Sequence, residues 1–332
     1  MSMLETLLGN GSFPRFKGWR LIRDDLFYHN FGNGAIVKDH LYMLGNGESL
    51  GEILPEHKTI TVIDLRTFEE RQVSIPNGIF SRAAACSNGV DKIYAYGGYN
   101  GVSTDNSNYL IFAVDGFNIT QLAYRKLGDS NTNYRTNSAS LTHFDNGSKS
   151  VNILTGGTPI ASQNRTLLLN TGTTASQTVV SGRGYIRHTG TFVYKGKLYE
   201  VGGYDDTTPP APARKDIYVF TPNSGLTSGT WAKWGNLPGG RVRPYFHVVE
   251  ETDTVYLFGG GTNMGNTVSA NAWPDPETYM LRINMLTKEI TNVPMEWCPS
   301  GKRWSRQFVH DGKLIHWQDR ELWVRWIDDL LV

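Results

Sequence analysis

The chain has 332 residues, and its 32 Lys and Arg against 31 Asp and Glu leave a net charge of +1. That balance excludes nucleic-acid binding through bulk charge, which needs a basic excess. Its 14 Phe, 16 Tyr and 9 Trp, interspersed with 36 Gly, exclude intrinsic disorder, and no apolar run approaches the roughly 20 residues that span a bilayer.

The chain opens with an apolar stripe at helical spacing, Met3, Leu4, Leu7 and Leu8. Residues 1–16 are therefore expected to anchor on a partner or on the body of the protein. They lack the basic start and long apolar core of a secretory signal, so synthesis in the cytoplasm is expected. Gly18-Trp19-Arg20-Leu21-Ile22 then reads as a strand. After it, short apolar runs lead into glycine at regular intervals. Leu41–Leu44 runs into Gly45-Asn46-Gly47, Ile93–Tyr96 into Gly97-Gly98, and Val151–Thr155 into Gly156-Gly157. Leu198–Val201 runs into Gly202-Gly203, and Val255–Phe258 into Gly259-Gly260. The turns are 52, 59, 46 and 57 residues apart. A period near 50 built from strands signals a repeat architecture.

One period, residues 187–236, shows the unit. Thr189–Tyr194 is a first strand, Lys195-Gly196-Lys197 a tight turn, and Leu198–Val201 a second strand ending in the glycine pair. A Pro-rich loop follows, then strands at Asp216–Phe220 and Thr230–Trp234. Four antiparallel strands form one small sheet, and such sheets pack face to face around an axis.

The glycine pair after an apolar strand, a downstream Tyr and a Trp in the fourth strand resemble Kelch repeats, over about residues 17–327. The first repeat has Gly-Asn-Gly in place of the pair, and the sixth has Gln318-Asp319. The sixth aligns by its turn, His310-Asp311-Gly312-Lys313-Leu314 against Tyr194-Lys195-Gly196-Lys197-Leu198. It lacks a fourth strand, which residues 17–22 are expected to supply. The expected fold is all-β: a closed six-bladed propeller with blades at about 30–75, 82–125, 135–181, 187–236, 243–294 and 303–327 plus 17–22. Residues 328–332 form a tail in which Leu330 and Leu331 are further partner-contact candidates.

The repeat register exposes a second pattern. Fifteen residues before the glycine position lie Arg82, Arg187 and Arg303, and also Asn30 in the first blade. Allowing for longer first turns, Arg243 and Arg135 fall in the same place. Inner strands line a propeller axis, so Arg82, Arg135, Arg187, Arg243 and Arg303 are expected to ring one mouth of the channel. Guanidinium forks suit carboxylate or phosphate, which points to an acidic or carbohydrate ligand. The resemblance to Kelch repeats implies the competing role, an Arg that braces the loop between blades.

Chemistry is sparse. No nucleophile elbow, metalloprotease helix or phosphate loop occurs. His143, His188, His247 and His310 sit at different offsets, which predicts no shared metal site and no cofactor. Cys86 and Cys298 are expected to be reduced and buried. Copper oxidases of this shape need a Tyr–Cys link and paired His, which this pattern does not match. Sialic-acid epimerases of this shape use an Arg-rich funnel with an acid/base group, for which Glu200, expected to alternate out of the core in an inner strand, is the one candidate. Trp297 and Trp304 are expected to cover neighbouring blades.

The resulting expectation is a non-enzymatic binding and assembly module with protein partners, similar in style to phage tail or fibre components. A sugar-acid enzyme and a Kelch-type adaptor are the alternatives. Polar loops such as Val102–Asn108 and Thr262–Asn271 offer binding surface.

Overall fold

The computed structural model describes residues 18–27, 33–45, 57–79, 83–98, 108–127, 134–159, 165–172, 177–181, 186–204, 213–259, 279–295, 306–318 and 320–327. It is all-β, with six four-stranded antiparallel sheets and one short 3-10 turn at Glu250–Thr252. Strand β1 (Arg20–Arg23) comes first in the chain. The first blade is β2 (Asn33–Val37), β3 (His40–Leu44), β4 (His57–Asp64) and β5 (Glu70–Ile79). The second is β6 (Ala84–Ser87), β7 (Lys92–Tyr96), β8 (Asn108–Asp115) and β9 (Asn118–Lys126). The third is β10 (Tyr134–Asp145), β11 (Ser150–Pro159), β12 (Arg165–Asn170) and β13 (Gln177–Ser181). The fourth is β14 (Gly190–Tyr194), β15 (Lys197–Val201), β16 (Asp216–Pro222) and β17 (Gly229–Asn236). The fifth is β18 (Tyr245–Val249), β19 (Thr254–Phe258), β20 (Tyr279–Asn284) and β21 (Ile290–Pro294). The sixth is β22 (Arg306–His310), β23 (Lys313–Gln318) and β24 (Glu321–Trp326), completed by β1.

The closure follows the sequence expectation. β1 runs antiparallel to β24, with Arg20 opposite Val324 and Leu21 opposite Trp323. Each inner strand touches the next, and β22 touches β2, so the ring is shut. Pairing of β1 with β24 covers the edge that β24 would otherwise expose.

The turns explain why the sixth repeat could be aligned without its glycine pair. Lys195 and Gly196 both have positive φ (45° and 68°), and so do Asp311 and Gly312 (46° and 67°). Two consecutive left-handed residues give a tight hairpin whose twist matches that of the strands. Tyr194 then faces Lys197, and His310 faces Lys313, in the same register.

Strand alternation builds the core. In β7, Ile93 and Ala95 enter the cluster shared with the first blade, while Tyr94 and Tyr96 enter the cluster shared with the third. In β19, Val255 and Leu257 face the fourth blade, while Tyr256 and Phe258 face the sixth. Each of the six interfaces holds its own apolar cluster. The second strand of a blade is thus covered on both faces, and β3, β7, β15 and β19 are buried at nearly every position. Trp231 on β17 shows how an outer-strand Trp contributes. Its ring packs on Phe220, and its indole N–H donates to Thr166 Oγ1 of the third blade at 3.0 Å.

Two details differ from the sequence reading. β11 continues through Gly156-Gly157 to Pro159 instead of stopping at the pair, because β10 is long enough to keep pairing with it. Glu200 does not alternate out of the core. It is 1% exposed and faces Gly156, where a Cβ would lie 3.6 Å from its Oε1. The neighbouring blade covers the face that would point to solvent in an ordinary half-exposed sheet.

Candidate functional site

The inner strands converge on a cavity of about 300 Å³ in the channel, lined by residues from all six blades. Blade four contributes the most, from His188 to Phe192, and blade five adds Arg243 to Phe246. Asn33, Ser140 and Gln307 bring polar groups from other blades. Hydroxyls tie its third- and fourth-blade walls together. Ser140 Oγ donates to Thr189 O at 2.7 Å, and the hydroxyls of Thr142 and Thr191 meet at 2.7 Å. Aromatic rings form another part of the wall, with Phe192 and Phe246 at 4.8 Å between centroids. Gly34 makes room for Phe308, since a Cβ there would lie 2.7 Å from Phe308 Cζ. Among the described lining residues there is one permanent cation, Arg243, and no carboxylate.

The glycine pairs position the arginine-bearing segments. Gly157 N–H donates to Ile186 O at 2.9 Å, one residue before Arg187. Gly203 N–H donates to Arg241 O at 2.7 Å, two residues before Arg243. The pair that ends the second strand of one blade therefore clamps the entry of the next. Both glycines need their freedom: Gly202 and Gly203 have φ of 67° and 86°. A Cβ on Gly203 would sit 2.6 Å from Arg187 O, and one on Gly202 would overlap Arg241 O.

The arginines expected at the mouth divide as follows. Arg243 lines the cavity and also reaches the preceding blade. Its backbone N–H donates to His188 O at 2.7 Å, and its Nε donates to His188 Nδ1 at 2.5 Å. Nδ1 can accept only if it carries no proton. The His188 ring in turn stacks on Tyr204, 5.3 Å between centroids. Arg187 is half-buried, and its backbone exchanges two 3.0 Å hydrogen bonds with Tyr204. Arg135 lies in β10 opposite Thr158, and the register slips between it and Ala139. Asn30, Arg82 and Arg303 lie outside the described residues, as do Met3, Leu4, Leu7, Leu8, Leu330 and Leu331.

Sequence reasoning missed Arg241, Arg214 and Tyr204, and weighed His188 only as a metal ligand. Arg241 is almost fully buried, donates to Gly240 O at 3.2 Å, and receives the Gly203 clamp through its carbonyl. Its N–H donates to Arg214 O at 3.1 Å. The Arg241-Val242-Arg243 spacing was visible, but only Arg243 falls in the repeat register.

The described histidines and acids form no group of three that could hold a metal ion. Glu200 is walled off from the channel by its burial between blades. Cys86, expected to be buried, is only half-buried; desolvation pushes its thiol up, and its Sγ lies 3.5 Å from Asn152 Oδ1. Cys298, Trp297 and Trp304 lie outside the described residues. No described helix is long and apolar enough to cross a membrane.

No protein-family model matches the chain, and no curated protein matches it. The six-bladed propeller is therefore read from the coordinates alone.

Proposed function

We propose that this propeller is a non-enzymatic binding and assembly module of Kelch type, whose channel mouth holds an acidic group of its ligand. One observation carries the reading: a cavity fed by all six inner strands has Arg243 in its wall and no described carboxylate. A guanidinium facing hydroxyls, amides and aromatic rings suits a carboxylate on a hydroxylated or peptide frame. At about 300 Å³ the cavity is at the small end of ligand sites, so it would take one sugar acid or one acidic side chain. The remainder of a larger partner would rest on the loops around the mouth.

The test is titration calorimetry with glucuronate, N-acetylneuraminate and a short acidic peptide. Replacing Arg243 by Ala removes a charge-assisted contact worth about 1.5–3 kcal/mol, so affinity should fall roughly 10- to 150-fold. Arg243→Lys should recover only part of it, since Lys lacks the planar fork. Unchanged affinity in Arg243→Ala, accompanied by lost stability, would mean that Arg243 only braces His188 and the proposal fails.

A further inference from the structure

His188 and Arg243 hold the same place in neighbouring blades. Each lies two residues before its first strand, β14 or β18. Each has left-handed backbone, with φ of 54° and 57°, which residues other than Gly, Asn and Asp rarely adopt. A hydrogen bond from Arg243 N–H to His188 O at 2.7 Å joins the two positions. The segment that carries Arg243 packs tightly on the fourth blade: a Cβ on Gly190 would overlap Pro244 O and lie 2.6 Å from Phe246 Cε2. Rearrangement at this point of the mouth therefore falls to the side chains.

The two side chains meet through one donor and one acceptor. Arg243 Nε donates to His188 Nδ1 at 2.5 Å, and Nη2 lies 3.4 Å from Nε2, so the guanidinium runs along the ring edge. The ring is 6% exposed and stacks on Tyr204 at 5.3 Å, with planes 18° apart, which fixes where Nδ1 points. With Nδ1 bare, the neutral ring carries its proton on Nε2. The other titratable or charged groups described around it are Tyr245 in the same cavity wall, Arg187 next in the chain, and Glu200, which meets Gly156 beside Thr189. A proton on Nδ1 removes the acceptor and sets two cations in contact in a partly buried place, where screening is weak.

We infer that His188 is a positioning residue and a pH-sensitive latch: neutral, it holds the Arg243 guanidinium at the cavity wall, and protonated, it releases it. The consequence for a ligand rests on the acidic-ligand reading above, whereas the latch itself does not. An acid held by Arg243 near neutral pH would then be let go on acidification, across the pH 5 to 8 range in which imidazole changes charge. Simple charge counting gives the opposite sign, since a second cation should draw an anion in. The latch gives release because the ring, wedged on Tyr204 and almost fully buried, does not take over from the guanidinium it displaces.

The experiment is NMR of the full chain at pH 8 and pH 5, first without ligand. The Arg243 Nε–H signal, assigned by its loss in Arg243→Lys, should exchange slowly at pH 8 and be lost to fast exchange at pH 5. His188→Asn keeps an acceptor oxygen at the position of Nδ1, does not titrate, and tolerates the left-handed backbone, so its signal should persist at both pH values. Calorimetry with glucuronate then reads the consequence. Wild-type affinity should fall at least tenfold from pH 8 to pH 5, although the ligand's carboxylate, which titrates at about pH 4, stays ionised. His188→Asn should change less than twofold, and His188→Phe, which keeps a ring on Tyr204 but drops the acceptor, should bind weakly at both. A wild-type Arg243 signal equally protected at pH 5 and pH 8 overturns the latch, as does a glucuronate affinity that holds or rises on acidification. A titrating signal with no binding of glucuronate, N-acetylneuraminate or an acidic peptide at either pH sustains the latch and overturns the acidic-ligand reading.

Discussion

The close packing around Gly203 predicts a graded series of Gly→Ala effects. Gly235 has ordinary φ and nothing within 4 Å of a new Cβ. Gly196 has φ of 68° but also nothing within 4 Å. Gly203 has φ of 86°, and its Cβ would lie 2.5 Å from Ile186 Cγ2 and 2.6 Å from Arg187 O. Gly235→Ala should be neutral or stabilise by about 0.4–1 kcal/mol, through the lower entropy of the unfolded chain. Gly196→Ala adds only left-handed strain, about 1–2 kcal/mol. Gly203→Ala adds the same strain plus overpacking. The Arg187 carbonyl is backbone and cannot rotate aside, so the fourth-blade entry must shift by several tenths of an ångström, at a further cost of about 1–3 kcal/mol. The total for Gly203→Ala is about 2–5 kcal/mol. Urea unfolding followed by tryptophan fluorescence reads it. With a slope of about 3 kcal/mol/M, the Gly203→Ala midpoint should fall by roughly 1 M and the Gly196→Ala midpoint by about half that or less. If the two variants lose the same stability, the close approach of Gly203 to the Ile186–Thr189 entry segment contributes nothing and the overpacking reading is wrong.

Two further predictions concern the blade interfaces and turns. Trp231→Phe should cost about 1 kcal/mol, because it removes the indole N–H from Thr166 Oγ1, a group almost fully buried. Combined with Thr166→Val, the two losses should be less than additive by about 0.5–1.5 kcal/mol, and full additivity in urea unfolding would show that the bond carries nothing. Asp64 concerns pH. Its burial raises its pKa, but the Arg66 guanidinium and the backbone N–H groups of Arg66 and Thr67 more than offset this, and its carboxyl stays below the usual range. A depressed folded value means that its stabilisation is complete above about pH 4 and is lost as pH falls through that folded value. Asp64→Asn should therefore be less stable than the wild type at pH 7, and the gap should close on acidification below pH 4. A gap that persists at pH 2 would assign the loss to packing instead.

The fold was legible because glycine pairs and strand alternation are local features. The pairs mark the ends of second strands, and their period of about 50 gives the blade count. The alignment of Lys195-Gly196 with Asp311-Gly312 held because both dipeptides occupy the same left-handed turn. What the sequence could not show was what each glycine faces. The hydrogen bonds from Gly157 to Ile186 and from Gly203 to Arg241 join adjacent repeats. They turn an apparent punctuation mark into the device that places the arginine segments. Glu200 was misplaced for a related reason. A two-residue period distinguishes two faces of a strand, but in a propeller both faces are covered. A cavity between the first and second blades, lined by Lys38–His40 and Asp115–Phe117, was likewise invisible, because these turns are about 75 residues apart.

The near-zero net charge also conceals an ordering along the ring axis. In the sequence register, five of six repeats carry Arg ahead of the first strand, at residues 82, 135, 187, 243 and 303, of which 135, 187 and 243 are among the described residues. At the far ends of the inner strands, five first turns carry carboxylates, at Asp39, Asp91, Asp145, Asp253 and Asp311. These acids have lysines close by in sequence or space. Asp311 meets Lys313 at 2.7 Å, and Asp253 bonds Lys195 and Tyr194 of the adjacent blade. Exposed pairs of this kind contribute little stability, about 0–1 kcal/mol each, but they cancel the local field. The described wall of the channel cavity holds no carboxylate. A near-zero total of 32 basic and 31 acidic side chains thus does not describe the surroundings of any one site: local pairing, not total charge, sets the field a ligand meets.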